Sequence, residues 1–187
     1  QTSHIVPYDL ANVADIGDAP VNPANVDDAL KRVEAHYDKL VAKGIRPLSA
    51  GGDHLCSLPI LRALGKKKPV GMIHFDAHTD LYAGYFGGRD PTHGTPFRMA
   101  VEEGLLDPKR VVQIGIADFA NSVAYAQRAA DFGITVIGLD DVRRRGAADV
   151  IAEAIEVAGA GGGSIHLDID VDVCDRSVAP GCPASVP

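Results

Sequence analysis

No Cys-x-x-Cys pair occurs in this chain of 187 residues, and its three cysteines, Cys56, Cys174 and Cys182, are an odd number at wide spacing. That argues against both a thiolate zinc site and a disulfide framework, and free thiols fit a reducing compartment. No apolar run approaches the about 18 residues that a membrane-spanning helix needs, and the first residues have neither the basic nor the apolar region of a secretory leader. The expectation is a soluble, cytoplasmic protein with no membrane partner. Positive charge is also scarce, with 18 Lys and Arg against 25 Asp and Glu for a net charge of -7. A nucleic-acid partner is therefore not expected, because affinity for that polyanion rests on basic side chains neutralising phosphates. The short clusters Lys66-Lys67-Lys68 and Arg143-Arg144-Arg145 read as solvated loop or helix-end charges.

Internal repeats and linkers are absent too, and 46% hydrophobic residues suffice for one sizeable core, so residues 1–187 read as a single domain. Asn25 and Asp27 offer caps for a helix in which Ala29, Leu30, Val33, Tyr37, Leu40 and Val41 recur near the helical period, with Gly44 as its stop. A short strand is expected at about Arg46 to Ala50, then a helix capped by Ser57 and running to Gly65. Val70 to Phe75 is apolar almost throughout, as a strand covered on both faces should be. After a Gly-rich loop, Gly84 to Gly94, a helix is expected over Thr95 to Glu103. The remaining expectations are strand Arg110 to Ile116, helix Asn121 to Phe132, strand Ile134 to Leu139, helix Ala147 to Ala158 and strand Ser164 to Val171. This alternation predicts an α/β fold with a parallel, doubly wound sheet.

In such a sheet, ligands bind at the carboxyl ends of the strands. Three clusters fall there: Gly52-Asp53-His54, Asp76-Ala77-His78-Thr79-Asp80, and Asp168-Ile169-Asp170-Val171-Asp172. If residues 76 to 80 stay extended, Asp76, His78 and Asp80 share one face. A lone aspartate at a strand end is most often a turn former, and Asp53-His54 by itself reads as ordinary loop polarity. Three ionisable groups aimed at one buried spot are different, because they are costly without a cation. Carboxylates and imidazoles without thiolate admit Mn²⁺, Mg²⁺, Fe²⁺ or Zn²⁺, and the excess of carboxylate favours Mn²⁺. Four carboxylates and two imidazoles oversupply one ion but match two. Such a pair, roughly 3.5–4 Å apart, lowers the pKa of a shared water and delivers hydroxide at neutral pH to a bound electrophile.

Gly51-Gly52-Asp53-His54, His74-Phe75-Asp76-Ala77-His78-Thr79-Asp80, His93-Gly94-Thr95 and Asp170-Val171-Asp172 with Ala179-Pro180-Gly181 resemble, in order, the motifs of the ureohydrolases, the arginase and agmatinase family. The resemblance runs from about residue 45 to the end. It implies a three-layer α/β/α sandwich with a mainly parallel sheet, and a binuclear Mn²⁺ centre. Counting back from Ala179-Pro180-Gly181 through Asp175 puts the family's paired aspartates at Asp170 and Asp172, and leaves Asp168 to hydrogen-bond a ligand. By resemblance Asp76 and Asp170 bridge the ions, His54 and Asp80 complete one, and His78 and Asp172 complete the other. His93 corresponds to the catalytic histidine, a proton shuttle or substrate-amine contact, whereas His74 is expected to pack beneath the site.

The reaction implied is hydrolysis of a guanidino C–N bond, releasing urea and an amine from a small-molecule guanidino substrate. Gly-Gly-Asp-His and His93-Gly94-Thr95-Pro96-Phe97-Arg98 resemble agmatinases and guanidinobutyrases more than arginases; arginase and formimidoylglutamase activities are the alternatives. Arg176 and Cys182-Pro183-Ala184 depart from the family pattern beside the metals, so a different substrate preference is expected. The family's guanidinium-binding glutamate is expected beyond Pro187, the chain being read as incomplete at both ends. That reading raises a second class of function, a non-catalytic fragment or metal-binding pseudoenzyme. Resemblance further implies a homo-oligomer, a trimer or hexamer.

Overall fold

Short apolar, β-branched stretches alternate with amphipathic helices, and in the computed structural model they form four parallel strands covered by helices on both faces. The structure describes residues 5–84, 88 and 90–186, so the expected loop from Gly84 to Gly94 lies partly outside the described residues. The strands are β1 (Val70–Phe75), β2 (Leu106–Ile116), β3 (Thr135–Gly138) and β4 (Ile165–Ile169), in the order β3-β2-β1-β4. The helices are α1 (Pro7–Leu10), α2 (Val26–Ala42), α3 (Ser57–Gly65), α4 (Pro96–Glu102), α5 (Val123–Phe132), α6 (Leu139–Arg145) and α7 (Ala147–Gly159). The layering expected from the sequence is the one observed.

Alternation along β1 sorts its side chains between two cores. Val70 and Met72 join Leu30 of α2, Leu58 and Leu61 of α3, Ala100 of α4, Val111 of β2 and Ala129 of α5 on one face. Ile73 joins Val112 and Ile114 of β2, Ile137 of β3, and Val150, Ala154 and Ala158 of α7 on the other. Leu58, Leu61 and Met72 are fully excluded from water, a gain of about 1.5–3 kcal/mol each over the exposed side chain. β1 therefore sits at the centre of the molecule, flanked by β2 and β4.

Four expectations are corrected. Arg46 to Ala50 is not a strand: β1 already has two neighbours, Pro47 has no N–H to donate, and Leu48 stands 98% exposed. Ser57 does not cap α3; the chain enters through a 3₁₀ turn, His54–Cys56, which Asp53 caps by accepting the Leu55 N–H at 2.9 Å. Leu139, expected to end a strand, instead begins helix α6, which has acidic residues in its first turn and places the arginine cluster, expected on a loop or helix end, in its last, as the helix dipole favours. β4 ends at Ile169, two residues earlier than expected, because Asp170 caps a second 3₁₀ turn, Val171–Val173.

One glycine is required where β2 passes beneath that turn. Gly115 has φ 93°, and a Cβ there would lie 2.5 Å from Val173 Cγ2 and 3.5 Å from the Asp76 carbonyl oxygen. The left-handed backbone and the clash act together, so Gly115→Ala should lose about 1–3 kcal/mol of stability. Urea denaturation checks this, and an unchanged midpoint would refute the account.

Candidate metal centre

Three segments distant in sequence meet at the carboxyl ends of β1 and β4. Asp76 follows directly on β1, its N–H still bonded to the Ile114 carbonyl at 3.2 Å, while the Asp170 N–H is bonded to the Phe75 carbonyl at 2.8 Å. Strand pairing thus brings these two aspartates together. The turn before α3 supplies His54, whose Nδ1 lies 2.9 Å from Asp80 Oδ2 and 3.2 Å from both Asp76 Oδ2 and Asp170 Oδ2. A second group forms around His78, whose Nδ1 is 2.8 Å from Asp172 Oδ2 and 3.4 Å from Asp76 Oδ1. Asp76 belongs to both groups, one oxygen facing each imidazole.

The convergence is as expected, but its cause is not strand alternation. Residues 76 to 80 leave the sheet, and Asp80 adopts φ 49°, a left-handed conformation that aspartate tolerates better than most side chains. Side chains pin the loop from outside. The Ala77 N–H donates to Asp172 Oδ1 at 3.0 Å and the Thr79 N–H to Asn121 Oδ1 at 3.0 Å, while Asn121 Nδ2 donates to the Ala77 carbonyl at 2.9 Å. Likewise Asp168, Asp170 and Asp172 do not alternate along one strand: only Asp168 lies within β4. Asn121, unremarked in the sequence, could have been found only as a turn-forming residue after β2.

Asp168 lies behind His54. Its Oδ1 accepts from His54 Nε2 at 3.0 Å, and its Oδ2 from the Ser57 hydroxyl at 2.7 Å and from His166 Nε2 at 3.1 Å. A carboxylate at Nε2 places a proton there, which leaves Nδ1, aimed at the oxygens of Asp76, Asp80 and Asp170, to hold a second proton or a metal ion. His74 packs beneath the cluster, fully buried, with Nε2 2.9 Å from Asp76 Oδ2. Phe97 closes the floor, its ring centroid 4.4 Å from that of His74 and 5.1 Å from that of His54. His93 is in neither ligand group. It is exposed, on the wall of a cleft of about 570 Å³ that Asp53, Leu55, Asp90, Thr92 and the start of α2 also line.

Electrostatics tests whether a cation fits. Among the described residues, no lysine or arginine pairs with Asp76, Asp80, Asp168, Asp170 or Asp172; their only charged partners are imidazoles. Burial pushes the Asp76 carboxyl up, yet His74, His54 and His78 hold it well below the usual carboxylate range. Burial raises Asp80 and Asp172. His78 is pushed up to about 10 by its bonds to Asp172 and Asp76, and His54 is raised by the carboxylates around it although burial opposes the change. Each Nδ1 thus faces anionic oxygens and calls for a positive charge there, a proton or a metal ion. Oxygen-rich donors with imidazole and no thiolate suit a hard or borderline divalent ion, so the residues fit the group that the resemblance implies.

Over residues 1–187 the sequence matches the model of the Arginase family. The chain belongs to the arginase family. It is 51% identical to a guanidinopropionase of Pseudomonas aeruginosa, over 96% of this chain and 56% of that protein. It is 42% identical to a guanidinobutyrase of the same organism, over 94% of this chain and 54% of the other. The chain thus spans about half the length of these curated relatives. A crystal structure of Trypanosoma cruzi formiminoglutamase with Mn²⁺ superposes with a TM-score of 0.78 at 29% identity, covering 89% of this chain and 56% of that one.

Because a bound ion stabilises only the folded state, Mn²⁺ at one hundred times its dissociation constant should add about 2.7 kcal/mol to stability. Thermal unfolding with Mn²⁺ and then with excess chelator measures this. An unfolding temperature indifferent to Mn²⁺ would show that the cluster holds none.

Proposed function

We propose that the protein is a Mn²⁺-dependent amidinohydrolase, agmatinase-like, which cleaves a guanidino C–N bond to give urea and an amine. The observation that carries the reading is the placing of Asp76, with one oxygen in the His54 group and the other in the His78 group. His54 and Asp80 would hold one ion, His78 and Asp172 the other, and Asp76 and Asp170 both. When bound, the pair supplies Lewis acidity and an activated water at neutral pH.

The protein residues do the rest. Asp168 fixes the His54 ring, His74 orients Asp76, and Phe97 keeps water from beneath the imidazoles. His93, on the cleft wall, would hand a proton to the departing amine, which leaves poorly as an anion. Asp27, Asp53 and Asp90 lie among the cleft's lining residues, and no lysine or arginine stands among the described ones, which suits a cationic guanidinium. A second reading of the substrate tail, a carboxylate as in 3-guanidinopropionate, is favoured by the 51% identity to a guanidinopropionase.

Urea release from agmatine, 3-guanidinopropionate, 4-guanidinobutyrate and arginine, and formamide release from formimidoylglutamate, test the proposal in the full-length, Mn²⁺-loaded protein. Turnover of at least one is expected, together with two ions per chain by elemental analysis. No turnover of any would favour the pseudoenzyme. His93→Ala should keep both ions and lower kcat by about 10²–10⁴-fold; an undiminished kcat would remove His93 from the reaction.

A further inference from the structure

Directly under the cluster, three polar side chains stand in a row across the sheet. Strand register pairs His74 of β1 with Gln113 of β2 on one side and with Asp168 of β4 on the other. Residues in register on neighbouring strands share a face, so Gln113, His74 and Asp168 form one line in an otherwise apolar layer. Asp168 was read as a support for His54. Gln113 has no assigned part, yet it is fully buried and so is His74.

The hydrogen bonds determine how each group is oriented. Gln113 Nε2 lies 2.6 Å from the Thr79 carbonyl oxygen, which can only accept, so the amide nitrogen and not its oxygen faces that way. The same nitrogen lies 3.1 Å from His74 Nδ1. A donor at Nδ1 requires a lone pair there, which puts the ring proton on Nε2. That proton then points at Asp76 Oδ2, 2.9 Å away. Burial gives neither side chain access to bulk water that could supply alternative partners.

We infer that Gln113 is a positioning residue of the metal centre: it selects the His74 tautomer that donates to Asp76, and it anchors at Thr79 the loop that carries Asp80. The inference rests on the metal-centre reading above. Its energetic logic is the choice between a donor and an acceptor against the carboxylate that spans both ligand groups. With the proton on Nδ1, the Nε2 lone pair would face Asp76 Oδ2 and push it out of place. Gln113 Oε1 makes no hydrogen bond among the described residues, so the side chain is placed at a cost to stability that a purely structural role does not repay.

The test compares Gln113→Leu and Gln113→Glu with the wild type in the full-length protein. Nitrogen-15 NMR of labelled histidine reads the His74 tautomer without added metal, and chelator competition reads Mn²⁺ affinity. The wild type should show Nε2–H at His74. Gln113→Leu should show a mixture of tautomers and about 10- to 100-fold weaker Mn²⁺ binding, the usual scale for losing a group that orients a ligand. Gln113→Glu keeps the bulk of the side chain and, at a pH where carbon-13 NMR shows its carboxyl ionised, turns the donor into an acceptor, so His74 should then carry its proton on Nδ1. A Gln113→Glu protein that retains the wild-type tautomer with that carboxyl ionised overturns the inference, whether or not the leucine variant folds. So does a folded Gln113→Leu with wild-type tautomer and affinity. A wild type that binds no Mn²⁺ defeats the metal reading instead, and the tautomer comparison still decides what Gln113 does.

Discussion

Negative charge packed where water is scarce governs this structure. Asp76, Asp80 and Asp172 are buried, and Asp168 and Asp170 stand beside them, with imidazoles as their only charged partners among the described residues. Leaving water costs a carboxylate several kcal/mol unless hydrogen bonds or opposite charge make up the loss. Backbone supplies part of the compensation: the N–H groups of His78, Ala77 and Asp172 donate to Asp76, Asp172 and Asp170. Four histidines supply more. His166 and His54 share Asp168, His74 underlies Asp76, and His78 lies between Asp76 and Asp172. What these leave unbalanced is concentrated at two points, the Nδ1 atoms of His54 and His78.

A parallel sheet suits this arrangement because every strand leaves on the same side, and consecutive polar termini gather without any loop having to travel far. The two faces of the sheet then diverge. Against α7 and α6 the contacts are Ile73, Val112, Ile114, Ile137 and alanines, with the buried Arg110 satisfied by the Ala158 and Ser164 carbonyls. Against α3 and α4 the apolar packing of Met72 and Val111 gives way, near the strand ends, to Gln113, His74 and Asp168. The apolar face supplies stability, and the polar row is tolerated because each member is hydrogen-bonded: Gln113 to His74 and Thr79, His74 to Asp76, and Asp168 to His54, Ser57 and His166. The left-handed conformations of Asp80 and Gly115 fit the same division: both lie where the chain leaves the sheet to form the site, and the packed strands below hold them.

Element types were legible in the sequence wherever the apolar pattern was strong. Val70–Phe75, buried throughout except for its half-buried last residue, has few alternatives to a central strand, and Leu30 and Val33 fix the inward face of α2. Arg46 to Ala50 misled because residue type suggests a strand but cannot supply a neighbour for it. Ser57 misled in the opposite way: it is a good capping residue whose hydroxyl is instead committed to Asp168, 111 positions away. At the site, the identities of the clustered residues were readable, whereas their means of convergence were not. Alternation predicts one face for Asp76, His78 and Asp80, but a turn through a left-handed aspartate splits them between two imidazoles. Gln113 and Asn121 were invisible for a similar reason, since only register and tertiary contact show that their amides hold the loop.

The same division separates what the cluster determines from what the cleft determines. The geometry of the cluster depends on β1, β4 and the turn before α3, elements tied together by strand pairing. The cleft walls are of another kind, formed by the start of α2, by the turn from Asp90 to His93 and by Asp53. Two of the three wall aspartates are already engaged: Asp90 pairs with Arg98, and Asp53 caps the turn through the Leu55 N–H. Asp27, in the first turn of α2, has neither constraint among the described residues, and it faces the positive end of its own helix dipole. The net field in the cleft is therefore weaker than three carboxylates imply. A cap bond leaves the Asp53 charge in place, however, and only Asp90 faces a cation among the described residues, so the wall stays negative.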